Sequence, residues 1–283
     1  MDESSGMSVK KGPDMMYENN DYNNDYNEFS STGTGTRQRV QEGEFRELNE
    51  GAAVRHPDNA VTDSLATFTG KTFLWMFAGL MTTFGIAIAS AFTGIAYAVA
   101  TGPMMLVITI AELFVVIYLS SHLDQLSVGS ARGLFFGYAA LTGLVFSVYT
   151  LYFGAPAIIF VFGLTAIFFG VMAAVTKLFH LDLSRMGTFI SAGLMFMMVV
   201  LLINLFVQSS GFTMMVSLIG VFLFLACTAY DTSKLSAFYS YFRTDSAQLS
   251  KASIYAALQL YLDFINLFLY LLRLFTGSAS RRS

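Results

Sequence analysis

From Lys71 to Phe275 the chain alternates long apolar runs with short polar breaks. Seven runs stand out, at about 71–93, 104–121, 132–153, 156–178, 186–207, 212–232 and 253–275. The breaks are turn-forming or charged: Thr101–Gly102–Pro103, Asp124–Gln125, Gly154–Ala155–Pro156, Asp182 to Arg185, Gln208 to Gly211, and the polar run Ser233–Lys251. A bilayer core about 30 Å thick is crossed by roughly 20 mostly apolar residues in a helix. Backbone groups find no water partner in lipid, so these runs are predicted to be helices. They are too long and too uniformly apolar for the alternating strands of a membrane barrel. The pattern predicts an all-α integral membrane protein with seven transmembrane helices.

No Lys or Arg lies between runs one and two, three and four, or five and six. The opposite side collects Arg55, Lys71, Arg132, Lys177, Arg185, Lys234, Arg243 and Lys251. The positive-inside bias then puts the N-terminus in the cytoplasm. Arg273, Arg281 and Arg282 run against it, because a seventh crossing leaves them outside. The last run either crosses or re-enters, and its 23 residues favour a full crossing.

Composition sharpens the class. Charged residues make up 12% of the 283 residues, against about 25% in ordinary soluble domains. With 55% hydrophobic residues and a mean hydropathy of +0.59, a conventional soluble globule is excluded. The single cysteine, Cys227, excludes a disulfide-stapled scaffold. Charge divides the chain: residues 1–63 carry 13 acidic and 6 basic side chains, and residues 64–283 carry 6 and 10. The first segment is rich in Asn, Asp, Tyr, Ser, Thr and Gly, too poor in apolar area to offset its ordering entropy. It is expected to be an acidic, disordered cytoplasmic tail, with a short helix around Val40–Asn49. It has no apolar run of the signal-peptide kind. A membrane domain over 64–276 and a short C-terminal tail over 277–283 complete the plan.

The chemistry lies in charges placed where lipid makes them costly. Glu112, Asp231 and Asp263 fall inside or at the ends of apolar runs, and a carboxylate at a span's centre costs about 2.5–3.5 kcal/mol on insertion scales. In run seven, Tyr255, Gln259, Asp263, Asn266, Tyr270 and Arg273 share an arc of roughly 80° at helical spacing. A polar stripe on an otherwise apolar helix is expected to face other helices or water, which would make this helix central. Asp231 ends run six and Asp263 lies well inside run seven. The intervening polar segment is long, so spacing alone does not bring them together. If they meet, they share a proton and titrate as a unit, locked when singly protonated and opened when doubly ionised. Doubly ionised oxygens also suit calcium, which Asp231 and Asp263 would ligate in transit.

Plainer readings stand beside these. Asp231 could cap the turn after run six, Asp263 could pair with Arg273 or a tyrosine hydroxyl, and Glu112 could join two helices. Gly79, Gly85, Gly133 and Gly137 suit close helix packing. His56, His122 and His180 are too scattered to form a zinc site with Cys227.

The run Tyr230–Asp231–Thr232–Ser233–Lys234–Leu235, followed by Leu258–Gln259–Leu260–Tyr261–Leu262–Asp263–Phe264–Ile265–Asn266–Leu267–Phe268, closely resembles the signature of the Bax inhibitor-1 (transmembrane Bax inhibitor motif) family in its bacterial form. Supporting likeness runs through Ala111–Glu112–Leu113, Tyr138 to Leu144, Asp182 to Gly187 and Asn204–Leu205–Phe206. The resemblance covers about residues 65–276. It implies a seven-helix fold whose last helix is central and surrounded by the other six, and a pH-sensitive calcium leak. Paired aspartates on the last two helices would be sensor and latch, matching Asp231 and Asp263. Glu112 and Arg273 match the family's other charged positions. Where relatives carry an arginine after the second helix, this chain reads Ser121–His122–Leu123, so His122 is the candidate latch partner, with an unperturbed pKa of about 6.5. Gln259, Asn266 and Tyr255 complete the supporting network. The implied location is the cell (plasma) membrane, with calcium and protons as the ions handled.

Other classes compete. Bacterial relatives also resemble modulators of a membrane-bound quality-control protease, so a regulatory scaffold without transport is one alternative. An intramembrane aspartyl protease is another, since paired aspartates can activate water. The glycine-flanked second aspartate of such proteases is absent here. A channel needs no catalytic residue and no cofactor, and nothing in the sequence points to nucleic acid.

Overall fold

The structure is a computed structural model that describes residues 63–122, 125–207 and 209–279. The expected acidic tail, with its helix near Val40–Asn49, falls outside the described residues except at Asp63. Among the described residues there are helices and no strand. They are α1 (Leu65–Thr93), a short α2 (Ile95–Thr101), α3 (Met104–His122), α4 (Val128–Phe153), α5 (Ala155–Leu178), a 3-10 turn at Ser184–Met186, α6 (Gly187–Val207), α7 (Ser210–Phe242) and α8 (Ser246–Ala279). Seven of them, all but α2, are long and apolar enough to cross a membrane.

Local chemistry sets the boundaries. Ser64 caps α1 by accepting from the Thr67 N–H at 3.2 Å, and Ser127 caps α4 through the Ser130 N–H at 3.1 Å. Gly154, with φ +79°, turns the chain from α4 into α5, where Pro156 occupies the first turn. Threonine hydroxyls along the spans donate to carbonyls one turn back, as Thr72 does to Phe68, Thr165 to Val161 and Thr228 to Phe224. That removes a polar cost lipid would otherwise impose.

The polar run Ser233–Lys251 is not a long loop. α7 continues to Phe242 and α8 begins at Ser246, so the turn is only Arg243–Asp245. Asp245 caps α8, its carboxylate accepting from the N–H groups of Ala247 (2.8 Å) and Gln248 (3.1 Å). With 33 residues at 1.5 Å each, α7 is about 50 Å long and outlasts a hydrocarbon core of about 30 Å. The last helix likewise continues to Ala279, past the expected domain end at 276.

α8 is the most buried span. Its main neighbours are α7, α1, α5 and α4. α3 packs chiefly on α4, and α6 on α7, so the enclosure by six helices expected from the resemblance comes down to four main neighbours. Fully buried Tyr261, Leu258, Leu260, Leu267 and Phe268 anchor α8, with Phe268 meeting Phe84 and Phe146 at ring separations of 5.6 and 5.1 Å. At Gly220, a Cβ would stand 2.5 Å from the Tyr270 ring, so the contact of α7 with Tyr270 of α8 requires glycine. Gly79 is similarly tight against Phe135 and Tyr261. Gly85, Gly133 and Gly137 instead face open space, so among the described residues the GxxxG spacing of α4 does not mark a helix contact.

Candidate functional site

The α7–α8 hairpin brings Asp231 and Asp263 together as interacting neighbours. Asp231 is not a cap: it lies 11 residues before the end of α7. Asp263 is 5% exposed and its Oδ2 has no hydrogen-bond partner. Cys227, one turn before Asp231, faces the same pair.

The cation beside the pair is Lys234. Its Nζ lies 3.2 Å from Asp231 Oδ1 and 4.1 Å from the centre of the Tyr230 ring. Lys234 replaces the expected partner, His122, which stacks on Tyr118 at 4.7 Å, with Nδ1 3.3 Å from the Tyr118 carbonyl oxygen. An acid and a lysine three residues apart on one helix are neighbours. The sequence held that signal, but it becomes legible only once α7 is seen to continue past Thr232. Tyr230 also ties the pair to α6: its hydroxyl occupies the space a Cβ at Gly187 would need.

Glu112 belongs to a different group, around Tyr261. Its carboxyl reaches Thr142, and Tyr138 and Tyr261 face it, while its Oε1 has no partner. The Tyr261 hydroxyl lies 2.6 Å from Thr83 Oγ1, which donates to the Ala139 carbonyl at 2.9 Å. Tyr261 and Asp263 are two positions apart, about 200° around the helix, so α8 carries a polar group on each of two opposite faces.

Tyr255, Gln259 and Asn266 are half-buried, Tyr270 is buried and Arg273 is exposed. Tyr255 meets Phe238 edge-on, and Asn266 Nδ2 donates to the Leu262 carbonyl at 2.8 Å. Arg273 lies 5.4 Å from the Tyr270 ring, not against Asp263. The stripe follows the less enclosed side of α8, except at Asp263 and Tyr270. Among the described residues there is no group of three or more His, Cys, Asp or Glu that could hold a metal.

Seven spanning helices, with a half-buried Asp231 and a buried Asp263 meeting on the last two, define a multi-pass membrane protein. The profile of the family described as inhibitor of apoptosis-promoting Bax1 matches residues 65–281, and the chain belongs to this Bax inhibitor-1 family. An uncharacterized protein of Deinococcus radiodurans is 42% identical over 213 residues, covering 75% of this chain and 91% of that one. The inner membrane protein YbhL of Escherichia coli K12 is 37% identical over 214 residues, covering 75% and 92%. An uncharacterized protein of Chlamydia muridarum is 30% identical over 225 residues, covering 76% and 93%.

Proposed function

We propose that this protein is a pH-sensitive calcium leak channel of the cell membrane, gated by a proton shared between Asp231 and Asp263. The observation that carries this reading is the meeting of two enclosed carboxyl groups from neighbouring spans, with one oxygen left unpartnered. Lys234 compensates a negative charge on Asp231. Asp263 has no cation of its own and holds the proton, donating it to Asp231. This one hydrogen bond locks α7 to α8. When the proton leaves, two carboxylates face one ammonium, and the excess negative charge pushes the helices apart. The freed oxygens are hard ligands of the kind calcium takes in passing. Closure therefore belongs to low pH, and flux rises as pH rises.

The cationic end of the bundle, with Lys71, Lys177 and Arg185, lies in the cytoplasm on this reading, and the printed name of the Escherichia coli relative supports a plasma-membrane setting. The chain acts without a cofactor and is not an enzyme.

The test is calcium flux in proteoliposomes between pH 5 and 9. Wild type is expected to pass calcium with flux increasing with pH. Asp263→Asn keeps a permanent donor and should give low flux that is flat with pH. Lys234→Ala removes the compensating charge, so losing the proton becomes harder and the midpoint should move to higher pH. No flux at any pH would overturn the channel and favour the scaffold acting on a membrane protease. Cleavage of a transmembrane peptide, abolished by Asp231→Ala, would favour an aspartyl protease instead.

A further inference from the structure

A cavity of about 490 Å³ opens where α1 begins, α5 ends and α7 passes Asp231. This size suits a small ligand or a headgroup. Its polar lining divides by hydrogen-bonding role. Thr69, Thr176, Ser233 and Ser236 each donate their hydroxyl proton to a carbonyl of their own helix, Leu65, Met172, Tyr230 and Ser233 respectively. Only acceptor lone pairs remain on these four. Thr232 is different: its hydroxyl is buried, with the residue 7% exposed, and has no partner. A buried hydroxyl without a partner is unfavourable, so this one marks a place where something should accept from it. Lys177 and His180 add two more donor groups at the rim, and among the described residues neither side chain has a hydrogen-bond or ion-pair partner. Asp182, the acid of the lining, is already engaged. Leu65, Ala66, Leu181 and Leu235 supply an apolar wall.

We propose that this cavity binds the headgroup of an anionic phospholipid. The Lys177 ammonium, the His180 ring and the orphaned Thr232 hydroxyl converge on the phosphate, and the four acceptor hydroxyls receive the donors of a glycerol headgroup. Lipid, rather than a free phosphate, is the occupant for two reasons. The cavity sits at the end of α5, where a spanning helix leaves hydrocarbon, and its apolar wall includes the exposed Leu65 and Leu181. It is too small for acyl chains, which run outside along α1 and α5. The site adjoins the aspartate pair through Thr232, but the inference does not rest on the channel reading.

The experiment is native mass spectrometry of the purified full chain in neutral detergent, titrated with phosphatidylglycerol, phosphatidylcholine or glycerol phosphate. Phosphatidylglycerol is expected to bind about tenfold more tightly than phosphatidylcholine, and Lys177→Ala with His180→Ala should remove that preference. Thr232→Val should weaken binding about threefold, in keeping with a single neutral hydrogen bond. Arg132→Ala, a cation stacked on Trp75 at 4.9 Å and outside the cavity, should leave binding unchanged. Lys177 and His180 are exposed, so their loss is not expected to unfold the chain, and a melting curve of each variant checks this. Equal binding of the two lipids, or full retention of binding by the Lys177/His180 double variant, overturns the proposal. So does glycerol phosphate binding as tightly as the lipid.

Discussion

α6 and α8 are both long enough to span a bilayer, yet they make opposite use of that length. In α6, 11% of the spanning window is buried, and Phe189, Met195, Phe196, Met198 and Phe206 are exposed. In α8, 72% is buried, although it carries Gln259, Asp263, Asn266 and Arg273. In water the more apolar helix would go inside. In lipid a uniformly apolar helix has no reason to hide, because acyl chains match its side chains as well as another helix does. The helix with polar groups to satisfy is drawn inward. Enclosure of α8 takes Asp263 and Tyr270 inside with its large apolar side chains, while Gln259, Asn266 and Arg273 keep to its less enclosed side.

Four changes test that contrast, from the largest effect down. Phe268→Ala deletes a fully buried ring from between Phe84 and Phe146 and should destabilise by about 3–5 kcal/mol, read by denaturant titration in mixed micelles. Gly220→Ala drives a Cβ into the Tyr270 ring and should cost about 1–3 kcal/mol by the same titration, with Tyr270→Ala restoring part of it. Thr83→Val breaks the 2.6 Å bond to Tyr261, and a loss of about 1 kcal/mol is expected, as for a single neutral hydrogen bond. Phe206→Ala, at a site 84% exposed, should change stability by less than about 0.5 kcal/mol because lipid fills the space. If Phe206→Ala proved as damaging as Phe268→Ala, the contrast between the two helices would fail.

The spans were legible because hydropathy and length are direct physical requirements of a bilayer. Five of the seven runs end within a residue of the observed helix, from Thr93 to Val207, and the last two fall short because their helices continue into more polar sequence. That exception is instructive. Ser233–Lys251 reads as a loop because it is polar, but polarity only says that it leaves the hydrocarbon, and both helices continue into that region. The same misreading hid Lys234, whose closeness to Asp231 depends on helical spacing beyond Thr232. His122 packs on Tyr118 instead of the acid pair for a related reason: position along the chain does not say which way the end of α3 faces. The glycines divide on the same ground, since Gly79 and Gly220 meet aromatic rings while Gly133 and Gly137 meet nothing.

The sequence by itself determined the membrane class, the seven spans and the two aspartates as residues too costly to place without purpose. Each of those follows from a per-residue transfer cost summed along the chain. Only the tertiary structure decided that the aspartates meet, that Lys234 joins them, and that Glu112 sits with Tyr138 and Tyr261 on the far side of α8. Such facts depend on how far each helix extends and how it is rotated. Rotation in lipid is set by side-chain packing between helices, which no local run of residues encodes.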